Sequence, residues 1–150
     1  MASKEVTLVI VKPDGVQRGL IGEVISRIEK RGLNVAALKM QIVSKKLAES
    51  HYGEHKGKGF YNDLINYITS APVVLMAVEG VNAVAATRKI CGATNPIEAT
   101  PGTIRGDFAL SISFNVVHSS DSVESGKKEV KRFFSPKEFI KYTKPDSAWL

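Results

Sequence analysis

The stretch Asn115-Val116-Val117-His118-Ser119-Ser120-Asp121-Ser122 sets one histidine between an apolar run and the start of a helix. A neutral imidazole is nucleophilic near neutral pH, and the orphan amides and dipole of a helix start favour an anion beside it. Three cationic side chains elsewhere have the right chemistry to hold that anion. Lys12 lies just past an apolar run, Arg88 in the last turns of an expected helix, and Arg105 near the end of the stretch 92–106. This stretch has no periodicity and contains two prolines, three glycines and three threonines, the composition of a stiffened loop rich in amides and hydroxyls. Taken singly, each residue has an ordinary explanation: a surface histidine, a loop lysine, an arginine that complements a helix dipole. His51 and His55 stand four apart and could share a helical face as metal ligands, but no third ligand is evident nearby.

The elements that must bring these residues together are legible in the hydrophobic spacing. Val6 to Val11 is β-branched and apolar and reads as a buried central strand, broken by Lys12-Pro13-Asp14-Gly15. Ile21, Val24, Ile25 and Ile28 share one face of a helix over Leu20 to Lys30, which Gly32 ends. A second strand spans Asn34 to Val43, and Ser44 caps a helix carrying His51, Tyr52 and His55. Phe60 to Thr69 forms another amphipathic helix with Leu64, Ile65 and Ile68 inward. Val73 to Val78 is the clearest buried strand, ended by Glu79-Gly80, and a helix from about Val81 or Asn82 to Cys91 is closed by Gly92.

In Asp107 to Phe114 the apolar Phe108, Leu110, Ile112 and Phe114 alternate with Asp107, Ala109, Ser111 and Ser113, which predicts a fourth strand. His118 then projects from a short turn, and Asp121 caps a helix in which Val123, Val130 and Phe134 keep helical spacing. Ser135-Pro136-Lys137-Glu138 starts a last short helix, and the apolar end Trp149-Leu150 is expected to pack on the rest of the chain. Four strands interleaved with helices as two β-α-β units, with an extra helical segment between them, predict an α+β fold. Its form is the ferredoxin-like (split βαβ) sandwich, a four-stranded antiparallel sheet with helices packed on it.

At 150 residues, 43% hydrophobic and 24% charged, the chain suits one domain, 1–150, with a sizeable core. Its 21 Lys and Arg against 15 Asp and Glu leave a formal charge of +6, which points to an anionic partner. The single Cys91 excludes an intrachain disulfide and provides no cysteine cluster for a metal. The apolar run Val6 to Val11 is too short for a signal core or a membrane span, so the expected location is cytoplasmic, with no membrane partner.

Phosphate chemistry often rests on a Walker loop, but no Gly-x-x-x-x-Gly-Lys-Ser/Thr is present, nor is the protein-kinase signature set. What stands in their place are Val11-Lys12-Pro13-Asp14-Gly15-Val16-Gln17-Arg18-Gly19, Thr94-Asn95-Pro96, Pro101 to Phe108, and Asn115 to His118 with Ser120-Asp121-Ser122. With these motifs in this order, from about Val6 to Tyr142, the chain resembles the nucleoside diphosphate kinases. That family is a group of nucleotide-binding transferases of nucleotide metabolism. They move the terminal phosphate of a nucleoside triphosphate, typically ATP, onto a nucleoside diphosphate through a phosphohistidine, in a ping-pong cycle with Mg2+ and with broad base specificity.

The resemblance implies that His118 is the nucleophile, Glu129 its orienting carboxylate and Ser120 the support of that pair. Arg88, Thr94 and Arg105 would hold the phosphates, Lys12 and Tyr52 would lie near the transferred group, and Lys12 and Asn115 would reach the ribose hydroxyls. Phe60 and Ile112 would sandwich the base, with Leu64 bordering the pocket; without the family Phe60 and Ile112 read as ordinary core residues. Magnesium would be held mainly through the nucleotide phosphates, with no protein ligand set of its own. The partners implied are nucleoside di- and triphosphates and further copies of the chain in a closed homo-oligomer, a hexamer ahead of a tetramer.

Three positions depart from the family pattern: Ser119 stands where glycine is usual, and Ser113-Phe114 where Gly-Arg precedes the asparagine. A nucleic-acid-binding module is the main alternative, since a basic ferredoxin-like sandwich is also the RRM architecture; the RNP1 string is absent, which makes that role secondary. A non-catalytic scaffold would be expected to have lost the histidine or the phosphate ligands, and all are present.

Overall fold

The computed structural model describes residues 3–150. Strand β1 (Lys4–Val11) lies at the centre of the sheet, flanked by β3 (Val73–Val81) and β4 (Val117–Ser119), while β2 (Asn34–Gln41) pairs with the far side of β3. All three pairings are antiparallel, and the order β2-β3-β1-β4 is that of the ferredoxin-like sandwich.

The two central strands are almost continuously apolar over Val6–Val11, where Thr7 is the one polar residue, and over Val73–Val78, because both of their faces are covered. Leu8, Ile10, Leu75 and Ala77 point to one side. There they meet Ala48 of α3 (Lys45–His51), Ile65 and Ile68 of α4 (Tyr61–Ile68), and Val130 and Phe133 of α7 (Val123–Phe133). Val9, Val11, Val74, Met76 and Val78 point to the other side, onto Val24 and Ile28 of α2 (Ile21–Lys30) and Ala83 and Cys91 of α5 (Ala83–Cys91). Ser44 caps α3 through Leu47 N, and Gly32 ends the turn after α2 at a φ of 97°, as the spacing predicts.

Several local expectations are corrected. Asp107 to Phe114 is not a strand: α6 (Ile104–Phe108) occupies its start, nucleated by Thr103 Oγ1 accepting from Gly106 N, and the chain then runs irregularly to Val116. Leu110, Ile112 and Phe114 are 84%, 59% and 56% exposed, so their alternation faces solvent instead of a core. Lys12-Pro13-Asp14-Gly15 does break β1, but proline at the first position also opens a short helix, α1 (Pro13–Gln17). β3 continues through Glu79-Gly80 to Val81, since its pairing with Lys4 and Glu5 of β1 outweighs the turn signal. Ser122, not Asp121, caps α7, accepting from Ser125 N. α3 stops at His51, leaving Tyr52 and His55 in the turn that follows. Ser135 to Glu138 makes only a single tight turn, without the side-chain cap. At the chain end, Leu150 lies against Gly32, whereas Trp149 is exposed. Among the described residues no helix is long and apolar enough to cross a membrane.

Candidate active site

His118 sits in β4 opposite Ile10, not in a turn beyond a strand. The two-residue alternation of a strand buries Val117 and Ser119 on one face and turns His118 to the other, toward α7. That helix is brought close because Gly126 has no side chain: a Cβ there would lie 2.3 Å from Val6 O. Glu129, one turn further along, then reaches the ring, and its Oε1 lies 2.6 Å from His118 Nε2. The same oxygen accepts from Ser120 Oγ at 3.0 Å, and Ser120 Oγ in turn accepts from Leu8 N of β1 at 3.0 Å. A carboxylate facing Nε2 fixes the proton on that nitrogen and leaves Nδ1 with the free lone pair. Burial pushes the His118 imidazole below its ordinary pKa, opposed by the Glu129 carboxylate, so the ring is unprotonated at neutral pH.

The ring opens onto a cavity of about 320 Å³ whose wall brings together Lys12, Tyr52, Arg88, Thr94, Arg105 and Asn115. Lys12 Nζ donates to Asn115 Oδ1 at 2.7 Å, and Asn115 Nδ2 donates to Thr94 O at 3.0 Å, so three of these residues are mutually held. Arg88 Nη1 donates to Ser119 O at 3.2 Å. Arg105 is 4% exposed and donates Nε, Nη1 and Nη2 to the carbonyls of Asn115, Gly92 and Val117. With three of its N–H groups spent on backbone, its buried charge braces the loop and keeps two donors for an anion. Burial, with Arg105 as a neighbour, lowers the Lys12 ammonium to about 8. Burial also pushes the Tyr52 phenol up to about 12, so it remains a neutral donor.

The approach to His118 is strained. Val116, a buried β-branched residue, has a φ of 73°, in the left-handed region such residues avoid. It is clamped there because Val116 N donates to Asp14 Oδ2 at 3.0 Å and Val116 O accepts from Lys12 N at 2.8 Å. Asp14 is itself held by the Tyr67 hydroxyl, and Phe114 packs edge-on against the Tyr67 ring at 5.3 Å. Phe114 thus takes a packing role at a position where the family usually carries arginine. Ser119 has ordinary extended backbone opposite Val9, and its buried hydroxyl has only the Cys91 thiol, a weak partner, beside it.

Three residues of this site escape sequence reasoning as participants. Asp14 lies inside a quoted motif, but only the fold shows it supporting Val116. His51 packs edge-on against the His118 ring at 4.8 Å, and Arg132 Nη1 lies 3.2 Å from His51 Nδ1. Nothing in the spacing marks Arg132, which reads as one more cation on a basic helix. His51, His118 and Glu129 each bring a potential ligand atom within 4.8 Å of the others, so His51 finds partners remote in sequence, while His55 turns away to Lys58. The trio is a poor cation site, because Lys12, Arg88, Arg105 and Arg132 surround it and Glu129 is already committed to His118 and Ser120.

Phe60, Leu64 and Ile112 do not line this cavity. Phe60 is 49% exposed with its ring 5.4 Å from that of His55, Ile112 is exposed on the loop after α6, and Leu64 packs on the core beneath α4.

The family model described as nucleoside diphosphate kinase matches residues 5–139. A curated relative named nucleoside diphosphate kinase from Archaeoglobus fulgidus is 54% identical over 146 residues, covering 97% of each chain. One of the same name from Staphylococcus epidermidis is 56% identical, covering 97% of this chain and 98% of its own. Among solved structures, a halophilic nucleoside diphosphate kinase from Halobacterium salinarum in complex with CDP superposes with a TM-score of 0.95 at 41% identity, covering 98% of each chain. A family member from Babesia bovis gives 0.94 at 41% identity, with 97% of this chain and 98% of that one covered.

Proposed function

This chain belongs to the nucleoside diphosphate kinase family and so transfers the terminal phosphate of a nucleoside triphosphate to a nucleoside diphosphate; from that premise we propose that the transfer runs ping-pong through a phosphohistidine at His118. The observation that carries the proposal is the chain of contacts Leu8 N, Ser120 Oγ, Glu129 Oε1 and His118 Nε2, set in the wall of a cationic cavity.

In the first half-reaction the Nδ1 lone pair of His118 attacks the terminal phosphorus. The bond from that phosphorus to the bridging oxygen breaks, and its electron pair leaves with the nucleoside diphosphate. No proton need move, because the Nε2–H stays on the ring and Glu129 offsets the positive charge that Nδ1 acquires. The second half-reaction reverses these bonds with the terminal oxygen of the acceptor diphosphate as nucleophile. Lys12, Arg88 and Arg105 spread charge over the equatorial oxygens with Thr94 holding the phosphate chain, Tyr52 donates near the transferred group, and Lys12 and Asn115 meet the ribose hydroxyls.

The donor set fits Mg2+ that arrives on the nucleotide. Cations and neutral donors hold its phosphates, and the orienting carboxylate is not free to ligate. When bound, the ion neutralises phosphate charge. The base would lie outside the cavity between Phe60 and Ile112, with Leu64 at the border. Their exposed apolar surfaces suit any base, since every base has a π-face.

The working form is a single domain, 1–150, in a closed homo-oligomer, a hexamer ahead of a tetramer. Leu38 and Met40 on edge strand β2 and Ile42 just past its end, with Ile140 beside Leu38, are exposed apolar residues of the kind that oligomers cover. The lone buried thiol of Cys91 suits a reducing compartment, the cytoplasm.

The test is incubation with Mg2+ and terminally labelled ATP without acceptor. Acid-labile label on His118 that GDP removes as GTP is expected. Absence of label in folded protein that binds nucleotide would refute the covalent mechanism.

A further inference from the structure

His51 is a half-buried imidazole beside the nucleophile for which the transfer mechanism has no use. It closes off α3 and is walled in by the rings of His118 at 4.8 Å, Tyr52 at 4.8 Å and Phe133 at 5.3 Å. The sole hydrogen bond to its ring among the described residues is with Arg132 Nη1, on α7 one turn past Glu129. A guanidinium has no acceptor, so it must donate, and His51 Nδ1 must then carry a lone pair. The ring is therefore the tautomer with its proton on Nε2. A doubly protonated His51 would set N–H against N–H at Arg132, would have to turn, and would present a cation to Glu129.

We infer that Arg132 and His51 form a positioning pair for the nucleophile: the guanidinium, by donating to Nδ1, fixes the tautomer of His51 and holds its ring edge-on to His118. Arg132 acts through His51, and His51 through the orientation of His118. The groups that face His51 agree in sign. Burial is the largest influence, and His118 on β4, Arg132 on α7, Lys12 at the end of β1 and His55 in the turn after α3 all oppose a charge there, holding its pKa at about 2; the Glu129 carboxylate lies within 4.8 Å of the ring. The inference rests on the phosphohistidine reading for its consequence, but the tautomer itself is observable without turnover.

The experiment is 15N-detected NMR of the full-length protein labelled in histidine, with steady-state kinetics from pH 5 to 9 on the same samples. Wild-type His51 is expected as the Nε2–H tautomer, untitrated down to pH 5. Arg132→Leu should release the tautomer and lower kcat by about fivefold, the worth of one hydrogen bond. The loss should be similar from pH 5 to 9, with KM for the diphosphate unchanged. Arg132→Lys, which keeps a cationic donor, should recover most of it. A wild-type His51 protonated on Nδ1 overturns the inference whatever the variants do. So does an Arg132→Leu variant whose KM rises at constant kcat, which would make Arg132 a phosphate contact, or one with kcat unaltered. Failure of His118 to take label from ATP would instead remove the covalent mechanism and leave the tautomer result standing.

Discussion

Glu129→Gln isolates the charge of the orienting carboxylate while preserving its shape. In the native site Oε1 takes two hydrogen bonds, from His118 Nε2 at 2.6 Å and Ser120 Oγ at 3.0 Å. A hydrogen bond to a charged group contributes about 1.5–3 kcal/mol and a neutral one about 0.5–1.5 kcal/mol. As His118 becomes a substituted imidazolium, the first of these strengthens and its loss falls mainly on the transition state. The difference is about 1–1.5 kcal/mol, or about 5- to 13-fold in the rate of His118 phosphorylation. A second signature has a defined sign. The Glu129 hydrogen bond raises the His118 pKa against the stronger lowering by burial, so the amide lowers that pKa further. The acid limb of the pH–rate profile should therefore move to lower pH while the plateau falls. Rapid-quench measurement of labelled enzyme from terminally labelled ATP, at intervals from pH 5 to 8, reads both. A variant with the native plateau, or one whose acid limb moves upward, would refute the role of Glu129 argued here.

Three further outcomes follow from the packing and the charges. Lys12 has a folded pKa near 8 against 10.5 unfolded, so between these values the unfolded chain binds more protons and stability rises with pH. The penalty is present below pH 8 and relieved toward 10.5. Urea midpoints of Lys12→Met should lack this slope, worth up to about 3 kcal/mol, and an identical slope in both proteins would contradict it. Gly126→Ala gains about 1 kcal/mol of helix propensity, yet it forces a Cβ to 2.3 Å from Val6 O, so chemical denaturation should show a net loss of about 1–3 kcal/mol. A stabilised variant would mean that α7 is not seated this closely on β1. Ser119→Ala deletes a buried hydroxyl whose one polar neighbour is the weakly bonding Cys91 thiol, so the melting temperature should change by less than about 2 °C, as calorimetry would show; a larger fall would indicate a strong partner for that hydroxyl.

The uninterrupted runs Val6 to Val11 and Val73 to Val78, and the helical faces at Ile21 to Ile28 and Phe60 to Thr69, determined by themselves the central strands, their flanking helices and the class of the fold. Side chains at periods of 2.0 and 3.6 residues report burial directly, so these elements needed no partner to be recognised. The family resemblance, carried by the motifs around Lys12, Thr94, Arg105 and Asn115 to His118, pointed to those residues and to Arg88, and all of them meet in one cavity. The alternation from Asp107 to Phe114 failed because periodicity cannot tell a face turned to the core from one turned to solvent, while the local cap at Thr103 favours a helix. Only the tertiary structure decided which ring nitrogen of His118 is free, why Val116 adopts a positive φ, and that His51 and Arg132 stand behind the nucleophile. Each depends on contacts between residues far apart in the chain: Asp14 with Val116 across 102 positions, Arg132 with His51 across 81. Such distances are set by the packing of α7 and α3 on the sheet, which local spacing does not encode.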